Sequence, residues 1–388
     1  MFVVKATGVN EALQVLTREL VKNGTVQQSR NGPALTLNEP VAVVYETTRY
    51  KILTLSTRHE DPTFHVMDAL WMLAGRDDVR FLKFFNKRIS DYSDDGLRFN
   101  GAYGHRIGGV LGYQEDNQLM KVINYLQADF NTRQAVLQIW RQSDLDRISK
   151  DKPCNMSVVF KSRKAVSGEV KLDMTVFNRS NDLVWGLCGS NVVQFSMLFE
   201  LVCSATGYTM GKYTHVTNCL HAYTSGAAGA AWERVRNAKP EDWYSLHPAN
   251  LLGRQDSYEP SFMYTPVTDD TNTIEDFTYD CALFFAMFDR IQLQYDIKGI
   301  GKLPYVKTDF KTAFFKHVVI PMFNLRYMRK VWGEFGLDGF ERYRCQTMFS
   351  GNNLIVYDKN WSIPVARYYE RTAPDFYYKV YHNEPASG

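Results

Sequence analysis

The chain has 388 residues, 45% of them hydrophobic and 22% charged, the profile of a globular protein able to bury a large core without disulfide or metal staples. Its formal net charge of only +3 argues against a dedicated nucleic-acid binder, which carries a strong basic excess. It leaves room for a few arginines gripping a single phosphate. Six cysteines stand at positions 154, 188, 203, 219, 281 and 345. None forms a C-x-x-C pair, so they read as reduced thiols rather than a zinc ribbon or a disulfide framework. The opening MFVVKATGVNEALQ lacks the apolar core of a secretion signal, and no apolar run is expected to reach membrane-span length. The expected setting is cytoplasmic, without membrane contact.

In chain order, residues 11–22 set Ala12, Leu13, Leu16 and Leu20 on one helical stripe. Residues 34–55, rich in Val, Thr, Leu and Tyr, predict strands. Residues 61–75 predict a helix carrying Phe64, Met67, Leu70, Trp71 and Met72, with Gly75 as its stop. The glycine-rich stretch 101–113 predicts a loop; its order does not match a phosphate-binding P-loop. Residues 134–140 and 156–160 predict strands. Residues 169–177 alternate, with Val170, Leu172, Met174 and Val176 on one face and Lys171, Asp173 and Thr175 on the other. Residues 192–205 predict a buried helix. Residues 251–275 predict a long surface loop, and helices follow at about 276–297 and 307–335. The expectation is one α+β domain with a helix-rich C-terminal third.

Chemistry enters with Asp151-Lys152-Pro153-Cys154-Asn155, where a cysteine sits between a proline turn and a strand. By itself such a cysteine reads more readily as a small buried hydrophobe than as a nucleophile. Its neighbourhood distinguishes it. The alternating strand runs into Asn178-Arg179-Ser180-Asn181-Asp182, then Trp185-Gly186-Leu187-Cys188-Gly189-Ser190-Asn191, then His215 through His221-Ala222-Tyr223. Upstream lie Asp68-Ala69-Leu70-Trp71-Met72-Leu73-Ala74-Gly75, Gly101-Ala102-Tyr103-Gly104, and Asn131-Thr132-Arg133 through Trp140. This ordered set, over about residues 28–225, resembles the thymidylate synthase family, and the W-G-x-x-G-x-N segment is similar to divergent phage-type members. The last third, about 230–388, resembles conventional members poorly and is expected to be a helical extension of one catalytic domain.

The resemblance implies a mixed sheet packed with helices and a folate-dependent one-carbon transfer to C5 of a deoxypyrimidine monophosphate. Cys154 would add to C6 of the base and make C5 enolate-like, which splits one hard step into easier ones. Arg30, Arg179 and Ser180 would hold the phosphate. Arg133 would reach in from the second subunit of a homodimer with a shared phosphate site. His221 and Tyr223 would bond the sugar 3′-hydroxyl, and Asn191 would read the base edge. Asp182 would bond the pterin of 5,10-methylenetetrahydrofolate, and Asp68 would organise water and protons. No metal is implied. Arg179 and Asp182 have a plainer reading as a surface ion pair, and His221 as a core histidine. Gln134 stands where many members have a second phosphate arginine.

Members diverge at an exocyclic methylene on C5: synthases reduce it and hydroxymethylases hydrate it, so water exclusion decides the product. Three departures point to water. Ile89-Ser90-Asp91-Tyr92 lacks the tryptophan typical of synthases at this place, the tail from His382 to Gly388 is polar, and Asp68 replaces the typical Glu. Asn191 favours uracil over cytosine, although its spacer is one residue longer than usual. The expected activity is therefore dUMP 5-hydroxymethylation. Thymidylate synthase, dCMP 5-hydroxymethylase and a non-catalytic nucleotide- or RNA-binding homologue are the alternatives.

Overall fold

The computed structural model describes residues 1–112, 116–244, 273–298, 309–344, 356 and 359–381. The chain divides into two compact units, residues 1–60 with 65–244, and residues 61–64 with 245–388. The first is α+β. Its larger sheet has the order β1-β4-β9-β7-β6-β5, built from β1 (Phe2–Ala6), β4 (Val41–Tyr45), β5 (Val136–Gln138), β6 (Asn155–Lys164), β7 (Val170–Asn178) and β9 (Thr209–Thr217). The expected alternation holds in β7: Leu172, Met174 and Val176 are buried, while Lys171, Asp173 and Thr175 are half-buried. A period of two places alternate side chains on opposite faces of a sheet.

Against the inward face lies α7 (Asn191–Thr206), buried without a break from Asn191 to Cys203. A helix apolar all round belongs in the centre of a core. The stretch Leu183–Thr206 is long and apolar enough to cross a membrane, contrary to the expectation from sequence. Its most apolar window is 89% buried inside the protein, as a core helix must be. Within that core the Glu200 carboxylate meets the Lys51 ammonium and accepts from Thr48 Oγ1 at 2.8 Å. Helix α1 (Val9–Asn23) buries Val9, Ala12, Leu13, Leu16 and Leu20 along its predicted stripe. Helix α2 (Pro62–Ala74) stops just before Gly75.

The predicted loop at 101–113 is corrected in part: Tyr103–Ile107 form a short helix, α4. Glycine spacing alone suggested irregular chain. What matters is close approach, since a Cβ at Gly104 would lie 1.7 Å from the Met72 carbonyl oxygen.

The smaller sheet, in the order β2-β3-β10-β8, joins β2 (Thr25–Ser29), β3 (Gly32–Thr36), β10 (Leu220–Tyr223) and β8 (Asn181–Asp182). Two of the chain segments that pass between the sheets do so at one place. After β7 the chain leaves the larger sheet at Asn178 and enters the smaller one at Asn181; after β9 it leaves at Thr217 and re-enters at Leu220. His215 is fully buried at this divergence, its Nε2 against the Asn178 and Asn181 amides and its Nδ1 2.9 Å from Tyr213 Oη.

Burial pushes the His215 pKa down to about 3, so the folded ring stays neutral while the unfolded ring titrates near 6.5. The unfolded state therefore binds the extra proton between these values, and stability falls as pH drops below about 6.5. We expect wild type to lose roughly 2 kcal/mol from this group between pH 6.5 and 4.5. Urea unfolding at both pH values should show His215→Gln losing less by that amount; an equal pH dependence in the variant would contradict the assignment.

The second unit is helical, with α9 (Ile274–Lys298), α10 (Ile320–Arg344), α11 (Lys359–Thr372) and α12 (Pro374–Tyr381). Its core is aromatic: Phe284 packs edge-on to Phe285, Phe315 and Phe323. Buried Asp280 accepts from the Lys311 and Thr312 backbone N–H groups, each at 2.8 Å, which satisfies the start of the next helical stretch. Of the predicted loop at 251–275, residues 251–272 lie outside the described residues, and Ile274 and Glu275 open α9 rather than ending a loop; the polar tail from His382 to Gly388 lies outside the described residues too.

Candidate active site

The site forms where the sheets diverge. The register Asn155↔Asn178 between β6 and β7 sets Cys154 beside Arg179, and Arg179 N donates to the Cys154 carbonyl at 3.0 Å. The Arg179 guanidinium then holds the nucleophile's own loop. Its Nε donates to the Pro153 carbonyl and its Nη2 to the Lys152 carbonyl, each at 3.0 Å, and it lies over the Trp140 ring. Ser180 Oγ lies 4.0 Å from Cys154 Sγ. Arg30 reaches the same loop from the β2–β3 turn, donating to the Ser149 and Lys150 carbonyls at 3.3 and 2.8 Å. From the other side Asp151 accepts from Gly101 N at 2.6 Å. The loop is thus fixed by contacts from three distant stretches, two through arginine side chains and one through the Gly101 backbone N–H.

All five described cysteines are free thiols, and only Cys154 and Cys219 are not fully buried. Burial pushes the thiols of Cys188, Cys203, Cys219 and Cys281 up, which keeps those four protonated and unreactive. Cys154 is half-buried, on the loop whose Lys152 and Pro153 carbonyls the Arg179 guanidinium holds.

Sequence reasoning gave no role to Tyr103, which the structure brings to the centre of the site. Its hydroxyl lies beside Cys154, Asn155 and Asn191, and burial, then the nearness of Cys154, push its pKa well up. It remains a neutral hydroxyl close to Cys154. The only signal for it was the tyrosine between Gly101 and Gly104, and a glycine-rich stretch does not announce which side chain points inward.

Asn191 sits at the start of α7, 8% exposed. The spacer's extra residue is absorbed by local winding: Leu183–Ser190 form a π-helix with a break at Gly189 (φ −118°, ψ −115°). A π turn holds one more residue than an α turn, so the asparagine still opens the buried helix. Gly186 makes room for it, because a Cβ there would lie 1.9 Å from Asn181 Oδ1 and 3.1 Å from Asn191 Oδ1. Asn191 Nδ2 donates to Gln194 Oε1 at 3.1 Å, and Gln194 Nε2 donates to Asp68 Oδ2 at 2.9 Å. Asp68 is buried on α2, and desolvation raises its pKa to about 7 against the opposing influence of His65 and the Gln194 bond. His65, one turn earlier, pairs with Glu60 at 2.8 Å and meets Ser190 Oγ at 3.2 Å.

The parallel pairing of β8 with β10 sets Asp182 opposite His221. Asp182 is not a surface ion pair. Its Oδ1 caps the π-helix, accepting from Val184 N at 2.9 Å and Trp185 N at 2.6 Å. Desolvation raises its pKa, opposed by those bonds and by His221 and Arg58. His221 is half-buried rather than a core residue, edge-on to Tyr223 at 5.0 Å. Tyr223 Oη accepts from Asn31 Nδ2 at 3.2 Å. Tyr92 lies close enough to Tyr223 and Asp182 that both raise its pKa, after desolvation, so residues 89–92 border the site. Trp185 is 42% exposed, backed by the Arg58 guanidinium 4.2 Å from its ring. Exposed aromatic faces beside a carboxyl with one oxygen uncommitted fit a flat heterocycle bearing N–H donors, which is the chemistry of a pterin.

Arg133 is not brought to this site within the chain. It is exposed and lies before β5 at the sheet edge. Extending the β5–β6 register sets it level with Ser162, about 26 Å of strand from Cys154. Among the described residues no group of three or more His, Cys, Asp or Glu side chains is placed to hold a metal ion.

The sequence is 41% identical over 224 residues to a deoxyuridylate hydroxymethyltransferase of Pseudomonas phage M6, covering 58% of this chain and 62% of that one. It is 37% identical over 213 residues to a deoxyuridylate hydroxymethyltransferase of Bacillus phage SP01, covering 53% and 54%. It is 25% identical over 193 residues to a thymidylate synthase of Streptococcus sanguinis (strain SK36), covering 49% and 65%. The matched stretches thus span less than two thirds of these relatives. The sequence model described as thymidylate synthase matches residues 11–280. That span includes Cys154, its arginine-held loop and every residue gathered where the sheets part, and by it the chain belongs to the thymidylate synthase family.

Proposed function

We propose that the protein is a deoxyuridylate 5-hydroxymethylase, converting dUMP to 5-hydroxymethyl-dUMP. The observation that carries this reading is the pairing of Cys154 with a base-reading end made of Tyr103, Asn191 and Asp68. Two of the most similar relatives bear the name of that activity.

In this reading Arg179, Ser180 and Arg30 take the phosphate, and His221 and Tyr223 the sugar 3′-hydroxyl. The Cys154 thiolate forms a bond to C6, and the electron pair of the C5–C6 bond moves toward C5 and O4. Asn191 meets the O4/N3 edge, where an amide both donates and accepts. Neutral Tyr103 faces the sulfur as a hydrogen-bond donor. 5,10-Methylenetetrahydrofolate supplies the one-carbon unit when bound, held by Asp182 with Trp185 and Tyr92 alongside. Asp68, with its pKa near neutrality, is suited to take the proton of an attacking water. Residues 89–92 contribute Ile, Ser, Asp and Tyr at the rim, with no indole to keep that water out.

The reading extends to a homodimer. Val44, Thr214, Thr175 and Val159 form one half-buried row across four strands of the larger sheet, with Phe177 and Val216 beside it. A second copy seated on this face would cover apolar area and offers a route for Arg133 to a neighbouring phosphate site.

The test is a product assay with dUMP or dCMP and methylene-labelled methylenetetrahydrofolate. The expected products are 5-hydroxymethyl-dUMP and tetrahydrofolate. Formation of dTMP and dihydrofolate would instead support the synthase alternative, and turnover of dCMP alone the cytidylate one.

A further inference from the structure

Three buried polar side chains at the base-reading end form a directional relay: Asp68 on α2, then Gln194 and Asn191 one turn apart on α7. Their exposures are 6%, 6% and 8%, so mismatched hydrogen bonds among them have no water to fall back on. We propose that Gln194 sets the uracil specificity of this site by fixing which way round Asn191 presents its amide. This rests on the reading that the base lies against Asn191.

The direction follows from donor and acceptor capacity. Gln194 Nε2 donates to Asp68 Oδ2 at 2.9 Å, the direction required above pH 7, where the ionised carboxylate only accepts. Gln194 Oε1 then faces Asn191 and requires a donor, which Asn191 Nδ2 supplies. Asn191 is left with its Oδ1 and its second N–H, which face the Tyr103 hydroxyl and the ligand. Uracil presents an N3–H donor beside an O4 acceptor, which matches. Cytosine presents an N3 acceptor beside N4–H donors, so Asn191 would have to turn over. Its Oδ1 would then oppose Gln194 Oε1, or, with Gln194 turned as well, Gln194 Oε1 would oppose the Asp68 carboxylate. Either leaves a buried acceptor unpaired against another acceptor, a penalty equivalent to roughly tenfold or more in affinity. Asn191 alone does not choose between the bases, because a free amide rotates to suit either. The relay makes the choice.

Nucleotide binding by titration calorimetry tests this on the full chain, independently of turnover. Wild type should bind dUMP in preference to dCMP. Gln194→Leu removes the relay, and Asp68→Asn supplies a residue that donates or accepts. Both should lower the dUMP-to-dCMP affinity ratio by roughly tenfold or more. Gln194→Glu keeps an acceptor toward Asn191 Nδ2 while sharing one proton with Asp68, and should keep the wild-type preference. Wild-type ratios in both Gln194→Leu and Asp68→Asn would overturn the inference while leaving the proposed function standing. A wild-type protein that binds both nucleotides equally would instead count against the proposed substrate.

Discussion

Cys154→Ala should lower kcat with dUMP by on the order of 10⁴-fold or more, since removing the nucleophile of a covalent mechanism removes its easier path altogether. Nucleotide affinity should change little, because the proposed phosphate, sugar and base contacts come from other side chains. The remaining thiols cannot substitute: Cys188, Cys203 and Cys281 are buried, and Cys219 is held protonated by desolvation. Steady-state turnover and calorimetric binding on the same variant measure the two quantities. A variant that turns over within tenfold of wild type would remove Cys154 from the chemistry.

Arg179→Ala is expected to be the next most damaging change. Arg179 carries charge toward the proposed phosphate site and ties down the Lys152 and Pro153 carbonyls just before Cys154. Losing hydrogen bonds of a charged group costs roughly 1.5–3 kcal/mol apiece, so kcat/KM should fall on the order of 10³-fold. Misplacement of Cys154 should show in kcat and loss of the phosphate grip in KM, so both should move. Arg179→Lys keeps the charge but not the planar fork that serves two carbonyls at once. It should restore part of KM and little of kcat. A purely electrostatic role would instead restore both.

Much of the first unit was legible in the sequence, and the reasons are periodic. The alternation in β7 and the unbroken apolar run of α7 are governed by the two spacings that backbone geometry imposes. The order of the motifs anticipated Cys154, Arg179, Ser180, Asp182, Asn191, His221 and Tyr223 converging where the sheets part. Other features depend on which way a side chain turns. Tyr103 was hidden in a glycine-rich stretch. Gln194 was hidden in an apolar helix, where a single polar residue does not reveal a partner 126 positions away. Asp182 was singled out for ligand binding, and its second task as a helix cap emerges only with the π-helical winding after it. That winding also explains how a one-residue insertion leaves Asn191 in place, which spacing alone could not foretell. Arg133 is the opposite case: its motif was readable, yet its exposed position at a sheet edge gives it no part in this chain's own site.

The account stands or falls on Cys154 adding to the base. The direct measurement is to incubate the protein with 5-fluoro-dUMP and methylenetetrahydrofolate and map the product by peptide mass spectrometry. Fluorine at C5 blocks the later loss of the C5 proton and arrests the reaction after addition. The account predicts a stable adduct of protein, nucleotide and folate on the peptide containing Cys154, absent in Cys154→Ala. An unmodified Cys154 peptide, or an adduct on another cysteine, would contradict it.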